Sequence, residues 1–201
     1  MLVSGSGTIL EAILAEGVTV SLVLSDRPCR GLEVADEAGI DALLVDRAAF
    51  GGFGEGFDRE AFSEAVRDVL LEHEVDLIAM AGYGTVLAAP VHEVFGGRIL
   101  NTHPALLPAF PGWHGVRDAL AAGAEVTGCT VHLATLEMDA GPILAQAEVP
   151  VLADDTVESL HERIKQVERR LYPATIAAAA AALAEGRPLE SIATTSKEAG
   201  T

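Results

Sequence analysis

Residues 100–112 read LNTHPALLPAFPG and place two hydrogen-bonding side chains at the end of an apolar run. Asn101 carries an amide donor, and His103 can donate or accept a hydrogen bond near neutral pH. Because the two residues are two apart in an extended chain, their side chains project to the same side. Together they could bracket an oxygen that becomes negatively charged during a reaction. Plain turn or rim residues are the structural alternative, which the closely following prolines at 104, 108 and 111 disfavour.

A carboxylate that could act with this pair occurs in a later segment, EMDAGP at residues 137–142. Asp139 could form an Asx turn there, or it could meet His103 in space as a charge partner. Sequence spacing leaves both possibilities open. His132, on the preceding strand, is equally well a core histidine or a partner of the site. His114 is interpreted as a solvated rim residue.

A glycine-rich turn, SGSGT at residues 4–8, follows the first short apolar stretch. Glycines allow close backbone approach, and a helix N-terminus presents free N–H groups to a phosphate. Neither the third glycine of a dinucleotide motif nor the lysine of a P-loop follows, so a mononucleotide-type phosphate fits better than NAD or ATP. The alternative is an ordinary turn in which Ser6 or Thr8 caps the helix.

These segments need a scaffold in which strands and helices alternate. The pattern predicts seven strands and five helices. The strands are expected at residues 2–3, 19–25, 42–46, 76–81, 98–101, 129–134 and 143–151, and the first four helices at 8–16, 32–38, 58–73 and 116–122. The alternation favours an α/β, Rossmann-like, doubly wound and mostly parallel sheet. The short connection between the last two strands predicts that they pair antiparallel.

A long C-terminal helix is predicted to run to about residue 185. Asp155 or Thr156 should cap it, and Glu158, three residues after Asp155, favours Asp155 as the cap. Pro173 is expected to kink or break this helix. We predict one domain over residues 1–186, followed by a polar and flexible tail over 187–201.

The composition argues against nucleic-acid-binding and membrane-spanning classes of protein. The 201 residues carry a net charge of −17, so no basic cluster is available to bind nucleic acid. No apolar run reaches the roughly 18 residues that a membrane span needs, and no signal peptide is recognised at the start. The two cysteines, Cys29 and Cys129, lack metal or disulfide spacing and are expected to be buried thiols in the cytoplasm.

Together, SGSGT, NTHPALLPAFPG and DAGP, in this order, resemble the motifs of the phosphoribosylglycinamide formyltransferases, folate-dependent enzymes of purine biosynthesis. The resemblance implies transfer of a formyl group from 10-formyltetrahydrofolate, a co-substrate, to the amine of glycinamide ribonucleotide, with no metal. It implies that Asn101 and protonated His103 stabilise the tetrahedral intermediate, and that Asp139 keeps His103 charged and manages protons through water. The partners implied are these two small molecules, for a monomer or homodimer.

The resemblance also implies binding residues. The ribonucleotide is expected to contact Gly7, Thr8, Ile9 and Glu168. The folate is expected to contact Arg59, Gly84, Thr85, Val86, Leu87, Thr135, Leu136, Glu137 and Met138. A first-turn residue in solvent is the alternative for Arg59.

Two departures from the family pattern are visible. Ile9 stands where the family usually has Asn, and Gly84-Thr85 replaces a Met-Arg pair. Each removes a polar or charged contact to an anionic substrate, so affinity is expected to be weaker or the acceptor or donor altered. The alternatives are formyl transfer to a sugar nucleotide or to water, and a non-catalytic nucleotide-binding homologue.

Overall fold

The computed structural model describes residues 1–193 in two compact units, Met1–Ile99 and Leu100–Thr201. The first unit contains the strands β1 (Leu2–Val3), β2 (Leu22–Ser25), β3 (Asp41–Leu44) and β4 (Ile78–Ala81). They are parallel and lie in the order β3-β2-β1-β4. All of β1 and β2 is buried, as in sheets that helices cover on both faces.

Four helices accompany these strands: α1 (Thr8–Ala15), α2 (Arg30–Glu37), α3 (Arg59–Glu72) and α4 (Ala89–Phe95). A 3₁₀ turn, Arg47–Phe50, follows β3. The core of this unit joins apolar side chains of β1, β2, α1 and α2, namely Val3, Leu10, Val23, Val34 and Ala35. The sequence pattern missed α4, a short helix with a proline in its first turn, where the lost N–H costs no helical hydrogen bond.

The second unit contains β5 (Ile99–His103), β6 (Val126–Leu133) and β7 (Ile143–Pro150), with the helices α5 (Gly115–Ala121) and α6 (Val157–Ala184). β7 pairs antiparallel with β6, as predicted, and β6 also pairs antiparallel with β5. A register shift interrupts the β6–β7 ladder between Val131 and His132. Such bulges re-aim neighbouring side chains.

The start of α6 corrects one prediction. Thr156, not Asp155, is the N-cap, and Thr156 and Ser159 form a reciprocal capping box. The Asp155 carboxylate instead accepts hydrogen bonds from the Leu152 N–H, the Ser159 hydroxyl and the Arg163 guanidinium. It therefore fastens the preceding loop to the helix rather than ending the helix.

Pro173 does not break α6, which continues through it to Ala184. Tyr172 and Pro173 are both buried, so packing holds the helix together where the proline removes one hydrogen bond. After α6 a 3₁₀ turn, Leu189–Ile192, buries Leu189, and residues 194–201 of the predicted tail lie outside the described residues.

The expected α/β fold is confirmed: the part of the chain that the structure describes has seven strands, parallel through the first four, antiparallel at the C-terminal end, and followed by a long helix. Cys129 is buried as predicted, whereas Cys29 is only partly buried. Within residues 1–193, no helix has the length and apolar character needed to cross a membrane. The single-domain organisation stays a prediction.

Candidate active site

β5 extends two residues further than predicted and ends with His103. Asn101 and His103 therefore lie inside the strand, and their backbone positions are fixed by the ladder to β6, where Asn101 faces His132 and His103 faces Thr130. The His103 side chain is buried, while Asn101 is half-buried. Strand geometry thus orients the two side chains that the sequence singled out.

The imidazole of His103 lies beside the carboxylate of Asp139. Its Nδ1 lies 3.4 Å from Oδ2 of Asp139, and both side chains are almost completely buried. On the other side of the ring, Nε2 lies 2.8 Å from the carbonyl oxygen of Phe110. Both ring nitrogens therefore face acceptors, an arrangement that suits the imidazolium form, which carries a proton on each nitrogen.

The backbone holds Asp139 in an unusual conformation. Its φ is +56°, in the left-handed region that Asp and Asn tolerate better than most residues. Its Oδ2 accepts a hydrogen bond of 2.7 Å from the N–H of Gly112. Burial by itself would raise the pKa of Asp139, but the contact with His132, the hydrogen bond from the Gly112 N–H and the charge of His103 outweigh it, so the pKa is lowered. Asp139 is therefore held as a carboxylate.

His132 joins the other three side chains. Its Nε2 lies 3.2 Å from the Asn101 amide nitrogen and 3.5 Å from Oδ1 of Asp139, and its Nδ1 lies 3.0 Å from the Leu133 carbonyl oxygen. With the proton on Nδ1, this nitrogen donates to the Leu133 carbonyl, and Nε2 accepts from the Asn101 amide. The residue type left two interpretations open, and the contacts with Asn101 and Asp139 decide that it is a partner of the site.

Gly115 is a site residue that the sequence analysis missed. A Cβ at this position would lie 2.9 Å from Nε2 of His103 and 3.0 Å from the Phe110 carbonyl oxygen. The first residue of α5 must therefore be small for His103 to keep its place. The only available signal was its position at the start of a predicted helix, which indicates nothing about a distant imidazole.

Polar side chains of β6 and β7 anchor the loop after β5. Thr130 Oγ1 accepts from the Leu107 N–H and donates to the Ala105 carbonyl. The amide of Gln146 donates to the Leu107 carbonyl and to Thr130 Oγ1. This network fixes the segment that carries the Phe110 carbonyl and the Gly112 N–H toward His103 and Asp139.

Glu168 lies on α6 and is buried, and its Oε1 accepts a 2.7 Å hydrogen bond from the Thr102 hydroxyl. Burial raises the pKa of Glu168, although the Thr102 hydrogen bond and the charges of Lys165 and Arg169 oppose the rise. Thr102 lies between Asn101 and His103, so one strand segment supports both Glu168 and the imidazole site.

The segment before Asp139 presents apolar side chains to solvent. Leu136 is 60% exposed and Met138 is 42% exposed, while the Thr135 hydroxyl donates to the Glu137 carbonyl and closes the turn. Exposed apolar groups on an ordered turn are suited to contact a flat ring, the role that the resemblance implies for these residues.

In the first unit, the turn before α1 has the predicted form. Gly7 is the N-cap with φ +74°, and no side chain caps the helix, so the alternative of a Ser6 or Thr8 cap is not observed. A Cβ at Gly7 would lie 3.0 Å from the backbone of Gly31, so this glycine also permits close packing of α1 on α2. The first N–H groups of α1, including those of Thr8 and Ile9, are left for an external acceptor.

The other predicted folate residues of this unit differ in exposure. Thr85 and Leu87 are buried, Gly84 and Val86 are half-buried, and the Gly84 N–H donates to the Ser4 hydroxyl at 2.6 Å. Arg59 is exposed at the first position of α3. The structure therefore assembles Asn101, His103 and Asp139 around His132 in the second unit, and the binding roles in both units remain predictions.

No group of three or more potential metal-ligating side chains occurs within the described part of the chain. The assembled side chains instead provide an amide donor, an imidazole and a carboxylate, a set suited to proton transfer and to stabilising an oxyanion.

Comparisons with known proteins agree with this chemistry. A family model described as formyl transferase matches residues 1–176. Phosphoribosylglycinamide formyltransferase of Mycobacterium tuberculosis is 47% identical over 185 residues, covering 90% of this chain and 83% of that protein. The crystal structure of glycinamide ribonucleotide transformylase 1 from Symbiobacterium toebii is 48% identical, with a TM-score of 0.80, covering 86% of this chain and 82% of that one. The phosphoribosylglycinamide formyltransferase structure from Streptococcus pneumoniae is 35% identical with the same TM-score of 0.80, covering 88% and 95%. The chain belongs to the formyl transferase family.

Proposed function

We propose that this chain transfers the formyl group of 10-formyltetrahydrofolate to the amino group of glycinamide ribonucleotide in purine biosynthesis. The contact between His103 and Asp139, with Asn101 and His132 beside it, is the observation that carries the proposal. Family membership and relatives that are named phosphoribosylglycinamide formyltransferase support the choice of donor and acceptor. Its location in the cytoplasm and its state as a monomer or homodimer remain predictions.

The reaction begins when the amine attacks the formyl carbon and forms a tetrahedral intermediate with a negatively charged oxygen. The amide of Asn101 has two N–H groups; His132 accepts from one, and the other stabilises the oxygen. His103 donates from Nδ1, because that nitrogen is 3.4 Å from Asp139, beyond ordinary hydrogen-bond length, whereas Nε2 is held at 2.8 Å by Phe110. The ionised Asp139 places a negative charge beside the His103 ring.

The intermediate then collapses. The new C–N bond remains, the bond from the formyl carbon to the folate nitrogen breaks, and that nitrogen gains a proton while the attacking amine loses one. Asp139, held ionised, manages this exchange through a water molecule. The products are formylglycinamide ribonucleotide and tetrahydrofolate.

Binding roles follow from the chemistry of the two substrates. The phosphate accepts from the N–H groups at Gly7, Thr8 and Ile9, and Oε2 of Glu168, which is not used by Thr102, accepts from a ribose hydroxyl. The apolar turn at Leu136 and Met138 contacts the pteridine ring.

A direct assay tests the proposal. Purified protein is incubated with 10-formyltetrahydrofolate and glycinamide ribonucleotide, and formation of tetrahydrofolate is followed with and without the acceptor. We expect turnover that depends on the acceptor. Folded protein that binds both substrates but does not transfer the formyl group would contradict the proposal, and turnover in water alone would favour a deformylase.

A further inference from the structure

Two arginines of the first unit converge on one exposed aromatic ring. The guanidinium carbon of Arg27 lies 4.4 Å from the centre of the Phe53 ring, and that of Arg47 lies 4.3 Å from the same centre. Arg47 also stacks on Phe57 at 3.8 Å. Phe53 is 65% exposed, so the two positive groups are held at an accessible surface.

A fully buried carboxylate fixes this pair. Asp26 accepts two hydrogen bonds of 2.9 Å from Nε and Nη2 of Arg27 and one of 2.7 Å from the Thr85 hydroxyl. Nη1 of Arg47 donates to that hydroxyl at 2.9 Å and to the Gly84 carbonyl at 3.3 Å, while its Nε donates to Gly52. Among residues 1–193, these bonds leave Nη1 of Arg27 and Nη2 of Arg47 without a hydrogen-bond acceptor.

Gly84 is part of the same arrangement. A Cβ at this position would lie 2.3 Å from Nη2 of Arg27 and 3.4 Å from Oδ2 of Asp26. The absence of a side chain at position 84 is therefore what allows Arg27 to form its two bonds to Asp26. The residues that depart from the family pattern, Gly84 and Thr85, both build the arginine pair.

The pair carries more positive charge than its carboxylate balances. Arg27 pairs with Asp26 directly, and Arg47 reaches this carboxylate only through the Thr85 hydroxyl. The pKa of Arg47 is lowered by burial and by the charges of Arg27 and Arg59, with Asp26 opposing. The acidic residues Asp46 and Asp58 are engaged as N-caps by the backbone N–H groups of Ala48 and Ala61. A bound anion would relieve this excess.

Tyr83, which precedes Gly84 in the chain, adds an unsatisfied polar group to this part of the unit. The hydroxyl of Tyr83 is buried and has no hydrogen-bond partner among the described residues. It lies within electrostatic range of Asp26, Arg47 and Arg27, and burial raises its pKa, so it remains a donor. A buried donor without a partner costs stability unless something accepts from it.

We propose that Arg47 and Arg27 form a carboxylate-binding site that holds the glutamate carboxylates of the folate co-substrate. This inference rests on the proposed function, which assigns Gly84 and Thr85 to the folate side. The planar fork of arginine suits carboxylates, and the free nitrogens Nη1 of Arg27 and Nη2 of Arg47 supply the donors. Asp26, Thr85 and Gly84 act as positioning residues.

The test compares 10-formyltetrahydrofolate with 10-formyltetrahydropteroate, which lacks the glutamate. Arg47→Met is expected to lower kcat/KM for the folate roughly tenfold, the lower part of the range for a hydrogen bond to a charged group, and to leave the pteroate unaffected. Gly84→Ala should reduce the same ratio, because it displaces Arg27 from Asp26. The ratio does not depend on how much of each variant is folded.

Arg67→Met is the matched control, since Arg67 pairs with Asp68 on the surface of α3, and it should leave the ratio unchanged. An equal loss for both donors, or no loss, would overturn the inference. A rise in KM for glycinamide ribonucleotide that vanishes with an acceptor lacking phosphate would assign the site to phosphate and overturn the folate assignment.

Equilibrium binding separates this inference from the proposed function. Fluorescence titrations of wild type and Arg47→Met with tetrahydrofolate and tetrahydropteroate need no turnover. If wild type transfers no formyl group but binds tetrahydrofolate more tightly than tetrahydropteroate, and Arg47→Met abolishes that difference, the arginine site stands and the proposed reaction fails. Equal affinities for the two compounds in wild type would overturn the arginine site alone.

Discussion

Nδ1 of His103 lies 3.4 Å from Oδ2 of Asp139, although 36 positions separate the two residues in the chain. The Phe110 carbonyl holds the other side of the imidazole, and the Gly112 N–H holds the carboxylate. Both of these backbone groups belong to the proline-rich loop after β5. One loop therefore positions both members of the pair.

Replacing His103 tests its proposed role. Removal of an oxyanion donor costs about 10²–10³ in turnover in other enzymes, so His103→Ala should lower kcat by a similar factor. His73→Ala, at the C-terminal end of α3, is the control and should retain activity. Steady-state kinetics with both substrates measures the effect, and full activity of His103→Ala would remove His103 from the mechanism.

Gly115→Ala should impair catalysis without changing any polar group. The added Cβ would meet His103 Nε2 at 2.9 Å and displace the ring. Misplacing a catalytic group by about 1 Å can cost up to 10²-fold, and we expect a tenfold to hundredfold loss of kcat. Gly54→Ala adds the same methyl in open space and serves as control. Unchanged kcat in Gly115→Ala would show that the ring has room to move.

The charge of Asp139 should stabilise the fold in a defined pH range. Its pKa in the folded protein is lowered from 3.8, so the ionised carboxylate contributes stability above about pH 4, and this contribution is lost as the pH falls through the lowered pKa. Asp139→Asn tolerates the same positive φ. Urea unfolding should show a deficit for this variant at pH 5 that shrinks toward pH 3. A deficit independent of pH would contradict this explanation.

Ionisation of Glu168 should have the opposite effect on the stability of the fold. Burial raises its pKa above 4.5, so the protonated form is favoured on folding, and the ionised form reduces stability at neutral pH. Glu168→Gln keeps an oxygen to accept from Thr102 and should raise the melting temperature at pH 7. The gain should disappear below about pH 4.5, where the wild-type carboxyl is protonated in both states. Thermal unfolding at both pH values decides, and a lower melting temperature at pH 7 would contradict the prediction.

Ile9→Asn should strengthen binding of the ribonucleotide. Position 9 is the second residue of α1, beside the free N–H groups, and an amide there can donate to the phosphate. A hydrogen bond to a charged group is worth about 1.5–3 kcal/mol, so KM for glycinamide ribonucleotide should fall roughly tenfold. KM for the folate is the internal control. An unchanged KM for the ribonucleotide would place the phosphate elsewhere.

Local patterns in the sequence were sufficient for most elements. Apolar runs and helical periodicity located all seven strands and the helices α1, α2, α3, α5 and α6, because burial and backbone geometry are set by neighbouring residues. The short α4 was missed because its first turn contains Pro90, which reads as a break in a helical pattern. The cap of α6 was wrongly assigned because Asp155 and Thr156 both suit the position, and the bond between Asp155 and Arg163 decides between them.

The sequence alone determined the chemical types: an amide and an imidazole two apart, a later carboxylate, and a glycine turn before a helix. Only the tertiary structure decided that Asp139 faces His103, that His132 links Asn101 to Asp139, and that Gly84 leaves space for Arg27. Each of these contacts joins residues that are far apart in the chain. Strand register and loop packing create them, and neither can be derived from the residues on one side of the contact.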